Sequence, residues 1–198
     1  MKSAMRDYQS ICVFTGSSIR VPEVYQNAAR ETGALIAQRG KTLVYGGGRV
    51  GLMGLCADAA LAAGGKVIGV IPAHLQKWEV EHTALTELHI VDSMHNRKRM
   101  MVERADAFVV LPGGFGTLDE TFETMTWKQV HLHDKPMVIV NINGYWDGLI
   151  MLVRQVIETG FAHETHGNLF KVVERVDQIF DALNSAEDPV IGPQFKWM

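Results

Sequence analysis

The sequence predicts an α/β fold: a doubly wound, mainly parallel sheet of about seven strands with helices on both faces. Three observations predict it. Short apolar runs recur without the polar alternation of a half-solvated strand, as strands buried on both faces require. Each run gives way to a longer helical stretch, the alternation that builds parallel sheets. Glycine-rich loops follow several runs, at the carboxyl edge where such sheets bind ligands. The architecture is therefore Rossmann-like, a single domain over residues 1–198 with a core at about 10–183 and a loose tail carrying Pro189 and Pro193.

Residues 10–15 (Ser-Ile-Cys-Val-Phe-Thr) read as the first strand. Gly16-Ser17-Ser18 follows, then a helix over about 22–39, with Pro22 suited to its first turn. The second strand is 42–45, and Gly46-Gly47-Gly48 leads into a helix over about 51–63. The third strand is 66–71, and the segment 72–86 is irregular, with room for a short helix. A fourth strand at 88–91 precedes a helix at 93–104. The fifth strand, 107–111, precedes a helix at 117–130. The sixth strand is 137–141 and its helix about 146–159; a short seventh strand at 170–173 and a helix at 177–183 end the core.

At 198 residues with 47% hydrophobic and 21% charged content, the chain can bury a good core. A net charge of −3 points away from nucleic-acid and membrane partners. Cys12 and Cys56 fall inside expected elements without disulfide or metal spacing, which fits a reducing cytoplasm. The first ten residues hold no apolar signal core, and no uninterrupted apolar run reaches the roughly 18 residues of a membrane span.

The chemistry concentrates in residues 109–120, Val-Val-Leu-Pro-Gly-Gly-Phe-Gly-Thr-Leu-Asp-Glu. A strand breaks at Pro112, passes three glycines and enters a helix. Glycines let a ligand approach the backbone, and the unpaired N–H groups and dipole of a helix start favour an anion such as phosphate. No Gly-Lys-Ser/Thr follows, so this is not a Walker loop. Taken alone, Thr117 and Glu120 read first as a capping box, with Thr117 capping the helix and Glu120 reaching back. That reading leaves the three glycines unexplained.

Gly46, Gly48 and Gly51 satisfy G-x-G-x-x-G, but the loop follows the second strand and no acidic residue occurs between Asp58 and Glu79. A dinucleotide site needs both features. A tight turn, or close approach to part of a nucleotide, fits better. On the 93–104 helix, Met94, Arg97, Lys98 and Met101 share one face. A cation among apolar neighbours needs an anionic partner. With Arg99 and Arg104 nearby, spacing alone leaves a solvated basic face as the stronger reading. His131 and His133 diverge on a helix, and His163-Glu164-Thr165-His166 is one residue short of H-E-x-x-H, so no metal site is expected.

Residues 112–120 resemble the PGGxGTxxE signature of the LOG ("Lonely Guy") family, cytokinin riboside 5′-monophosphate phosphoribohydrolases often labelled lysine decarboxylases. Ser93-Met94-His95-Asn96-Arg97-Lys98 resembles the family's M-H-x-R-K, and residues 124–129 its T-W-x-Q. The resemblance spans roughly residues 10–183. It implies hydrolysis of the N-glycosidic bond of an adenosine 5′-monophosphate, N6-modified or not, to free base and ribose 5-phosphate, with no cofactor. It implies Arg97 and Glu120 as catalytic groups. It implies substrate contacts from Gly113, Gly114, Phe115, Gly116, Thr117, Leu118 and Asp119 on the central loop. Further contacts would come from Met94 and Lys98, from Gly16, Ser17, Gly46 and Gly47, and from Glu79 and Thr126. It also implies a homodimer with sites near the subunit contact. Arg97 has two open roles, neutralising the phosphate or polarising the leaving base. His131 departs from the pattern, since it stands where the family commonly has Gly. Two other classes compete: a non-catalytic nucleotide or cofactor carrier on the same fold, and a decarboxylase, for which no pyridoxal-phosphate lysine motif is present.

Overall fold

A computed structural model describes residues 7–76, 82 and 84–185. Its strands are β1 (Ser10–Phe14), β2 (Thr42–Tyr45), β3 (Val67–Pro72), β4 (Glu87–Val91), β5 (Ala107–Val110), β6 (Met137–Val140) and β7 (Lys171–Val173). All pair in parallel in the order β4-β3-β2-β1-β5-β6-β7. The chain winds outward from β1 to β4, then returns to the other side of β1 to lay down β5. Ile11 pairs with Ala107 and Phe14 with Val110 across that seam. The order reverses there, so the loops leaving β1 and β5 diverge and open a crevice at their carboxyl ends.

The continuous apolar strands fill two cores, because successive side chains point to opposite faces. Ile11, Val13, Val109 and Val138 join one cluster with the helices α1 (Glu23–Gln38), α2 (Gly51–Ala62) and α6 (Ile179–Asn184). Cys12, Phe14, Phe108 and Ile139 join the other with α3 (Met94–Arg104), α4 (Phe115–Gln129) and α5 (Asp147–Glu158). Every strand expected from sequence is present, including the short β7. No helix among the described residues is long and apolar enough to cross a membrane.

Three local expectations are corrected. Pro22 is the residue before the first turn of α1, with ψ 144°, and not part of the turn. The last helix is preceded by a separate 3₁₀ turn at Val176–Gln178. Most consequentially, α4 begins at Phe115, two residues earlier than expected. Within 72–86, where a short helix was sought, residues 77–81 and 83 lie outside the described set, as does the tail beyond 185.

Candidate active site

The crevice between β1 and β5 is a cavity of about 420 Å³, and both glycine-rich stretches after those strands line it. The two loops are stapled to each other. Gly16 N–H and the Thr15 hydroxyl both donate to the Pro112 carbonyl, at 3.3 and 3.0 Å. The first turn of α2 joins them, because Met53 N–H donates to the Gly16 carbonyl at 3.2 Å.

The early start of α4 decides what the central loop offers. Gly114 is the N-cap residue, no side chain caps the helix, and the first helical bond runs from Leu118 N–H to Gly114 O at 3.0 Å. The N–H groups of Phe115, Gly116 and Thr117 therefore have no acceptor within the helix. All three residues line the cavity, where the helix dipole adds partial positive charge. The capping box expected of Thr117 and Glu120 does not exist. Thr117 lies inside the first turn, 2% exposed, in the space a Gly113 side chain would need. Glu120 lies almost a turn further on, 8% exposed, and lines the cavity.

Arg97 reaches the same cavity from α3 and is only 4% exposed. Its Nε donates to the Val70 carbonyl at 3.1 Å and its Nη2 to the Gly46 carbonyl at 2.7 Å, while Nη1 lies 3.9 Å from Met94 Sδ. Charge-assisted bonds to two strand-end carbonyls offset much of the cost of burying the cation. Gly46 has to be glycine for this, since a Cβ there would meet the guanidinium. The solvated-face reading is thus wrong for Arg97, although it holds for Arg99, whose exposed side chain lies 3.8 Å from Glu103. Cys12 on β1 is fully buried in the core and feels both charges. Burial first, and then the Glu120 carboxylate, push its thiol well up from the usual range, while Arg97 works the other way.

Lys98 turns elsewhere. Its ammonium bridges Asp119 at 2.9 Å and Glu123 at 3.0 Å. Burial works against that charge, but the bonds to the two carboxylates outweigh it and raise the pKa. The bridge ties α3 to α4, and so fixes the element carrying Arg97 to the element carrying Glu120.

Of the residues singled out in the sequence, Gly16, Ser17, Arg97, Gly113, Gly114, Phe115, Gly116, Thr117 and Glu120 line the one cavity. Gly46 and Met94 stand behind Arg97. Gly47, Lys98, Leu118, Asp119 and Thr126 do not line the cavity within this chain, and Glu79 is outside the described residues. Thr126 is exposed on α4, donating to the Phe122 carbonyl at 2.7 Å. The sequence reading missed Tyr25 and Tyr145, which also line the cavity. Tyr145 follows Asn143-Gly144 after β6, at the same sheet edge, and that position was the available signal.

Residues 53–183 match the family described as "Possible lysine decarboxylase". A cytokinin riboside 5′-monophosphate phosphoribohydrolase of Arabidopsis thaliana, LOG1, is 43% identical over 158 residues, covering 80% of this chain and 74% of that protein. A probable enzyme of the same name from Oryza sativa, LOGL2, is 37% identical over 192 residues, covering 96% of this chain and 79% of that one.

The chain belongs to the LOG family.

Solved structures support the fold more distantly. The molybdenum cofactor carrier protein of Chlamydomonas reinhardtii superposes with a TM-score of 0.68 at 22% identity, covering 89% of this chain and 96% of that one. Two of the stretches that resemble LOG signatures are the two that meet in space, with Arg97 from one and the 113–120 loop and helix from the other on a single cavity.

Proposed function

We propose that this chain hydrolyses the N-glycosidic bond of adenosine 5′-monophosphate or an N6-modified form of it, releasing the free base and ribose 5-phosphate. The observation that carries this reading is the joint placement of Glu120 and Arg97, both nearly buried, on a cavity whose adjoining wall is the open N-terminus of α4. The N–H groups of residues 115–117 receive the 5′-phosphate. Departure of the base breaks the bond between C1′ and the base nitrogen, and the bonding electrons leave with the base. Positive charge then builds on the sugar. The Glu120 carboxylate stabilises that charge and takes a proton from the water that adds to C1′. The base nitrogen takes a proton from solvent as it leaves, and Glu120 returns to solvent the proton it took, so one water is consumed overall. Arg97, pinned by two carbonyls, is a fixed cation that favours an anionic ligand from the first encounter onward.

The reading extends to assembly and setting. A homodimer is proposed from the outer face of α4, where Phe115, Phe122 and Val130 are exposed. The cytoplasm is proposed as its compartment, in keeping with two buried free thiols, Cys12 and Cys56.

The test is release of free base from the purified protein. AMP and N6-isopentenyl-AMP are each compared with adenosine. Adenine should appear from AMP with kcat/KM at least about 10²-fold above that for adenosine, the scale of a lost phosphate site. Equal values for AMP and adenosine would remove the phosphate role of the α4 N-terminus. Binding of both nucleotides without base release would place the chain with carriers.

A further inference from the structure

Tyr145 enters the cavity wall from the turn after β6, and that turn is built to hold it. Asn141 closes the turn, its Oδ1 accepting from Trp146 N–H at 2.7 Å and its Nδ2 donating to Asp147 Oδ1 at 2.8 Å. Between them Asn143 and Gly144 both take left-handed backbone, φ 51° and 72°. A non-glycine residue in that region carries strain, which persists only where surrounding contacts fix it. The outcome of this geometry is the position of the next side chain. Tyr145 is 42% exposed, yet its ring is wedged edge-on between Tyr25, at 5.4 Å and 70°, and Trp146, at 4.8 Å and 87°. Its hydroxyl donates to the Gly113 carbonyl at 2.6 Å.

That carbonyl belongs to the peptide joining Gly113 to Gly114, the N-cap residue of α4. In a planar trans peptide the carbonyl and the following N–H point in opposite directions, so fixing one fixes the other. A peptide between two glycines rotates at little cost, because neither residue has a Cβ to restrain it. A rotated Gly113 carbonyl would set a negative dipole beside the N–H groups that receive the anion. The Thr117 side chain, packed against Gly113, restrains the loop from the helix side, and Tyr145 restrains it from the other.

We propose that Tyr145 is a positioning residue that latches the Gly113–Gly114 peptide in the orientation that accepts the 5′-phosphate. This rests on the N-glycosidase reading above. The latch acts on phosphate recognition, while bond cleavage at Glu120 proceeds once the nucleotide is seated.

Tyr145→Phe tests it, because the ring contacts stay and only the hydroxyl goes. The expected result is a KM for AMP raised about five- to tenfold with kcat within about twofold, the size of one lost hydrogen bond acting on binding alone. The inhibition constant of inorganic phosphate should rise by the same factor, and Tm should stay within about 2 °C. Unchanged KM and unchanged phosphate inhibition in Y145F would overturn the proposal. So would a loss confined to Tm or to kcat, the mark of a structural role. If the parent protein releases no adenine from AMP, the N-glycosidase reading fails by itself. Calorimetric titration of parent and Y145F with inorganic phosphate then decides the latch: weaker binding in the variant sustains it, and equal binding removes it.

Discussion

The chemistry proposed for Glu120 rests on a backbone detail, the residue at which α4 begins. Had the helix started at Thr117, the carboxylate would have been spent on the helix end. Because it starts at Phe115, Glu120 sits past the first turn and lines the cavity with Arg97, and both charges act on the buried Cys12 thiol. Replacement by glutamine separates shape from charge. The amide keeps the volume and the capacity to hydrogen-bond, but has no negative charge for a sugar cation and no basic oxygen for water. Glu120→Gln should therefore stay folded, with Tm within about 4 °C, and should still bind AMP. Adenine release should fall by about 10²-fold or more, the usual contribution of a positioned acid–base group. Thermal unfolding and adenine release on one preparation check this, and a folded variant working at the parental rate would move the chemistry to another residue.

At the level of elements, α4 is informative at both ends. Its C-terminus closes in a Schellman motif: His131 N–H donates to Lys128 O at 3.1 Å and Leu132 N–H to Trp127 O at 2.8 Å. That motif needs a left-handed residue, and His131 supplies it with φ 62°. Glycine takes this conformation freely, which accounts in backbone terms for the family's common glycine here. His131→Gly should then stabilise the protein by about 0.5–1 kcal/mol, raising Tm by roughly 1–4 °C, with the glycine's greater freedom in the unfolded chain limiting the gain. The measurement is a pair of melting curves, and a lower Tm for the variant would show that the exposed imidazole makes a compensating contact. The same helix shows where sequence reading stops. The strands were legible because burial on both faces demands unbroken apolar runs, as in Ile11 to Phe14. The start of α4 was not, because Thr117-x-x-Glu120 mimics a cap while the glycines before it let a helix begin earlier without one. Arg97 was half legible: spacing put it on a face with Met94 and Met101, but its acceptors, Gly46 and Val70, lie 51 and 27 residues away. Tyr145 had only its place after β6 as a signal, since its partner Gly113 is 32 residues distant.

On the scale of the whole molecule, Thr126, which the resemblance assigns to the site but which misses the cavity, lies on an apolar stripe that reaches the cavity rim. Phe115, Phe122, Thr126 and Val130 recur at spacings of seven, four and four, which puts them on one stripe of α4. Phe115 is 92% exposed at the rim of the cavity, Phe122 and Val130 are 38% and 37% exposed, and Leu132 just beyond is 70% exposed. Large apolar side chains aligned this way are costly to leave in water and mark a surface for association. A two-fold dimer is the simplest closed arrangement that covers such a stripe, because each copy meets the same stripe on the other. It would carry Thr126 of one copy toward the other copy's cavity rim at Phe115, and so give a place to a residue that the resemblance assigns to the site but that lies outside the cavity of its own chain. Light scattering at micromolar concentration should therefore report twice the mass of one chain. Phe122→Glu places a charge in the stripe without touching any cavity-lining residue. That variant should scatter as a single chain, remain folded with Tm within about 4 °C after allowance for lost association, and cleave AMP at least about tenfold more slowly. A parent protein that is monomeric and fully active, or a monomeric Phe122→Glu that keeps the parental rate, would leave the stripe without a part in the site.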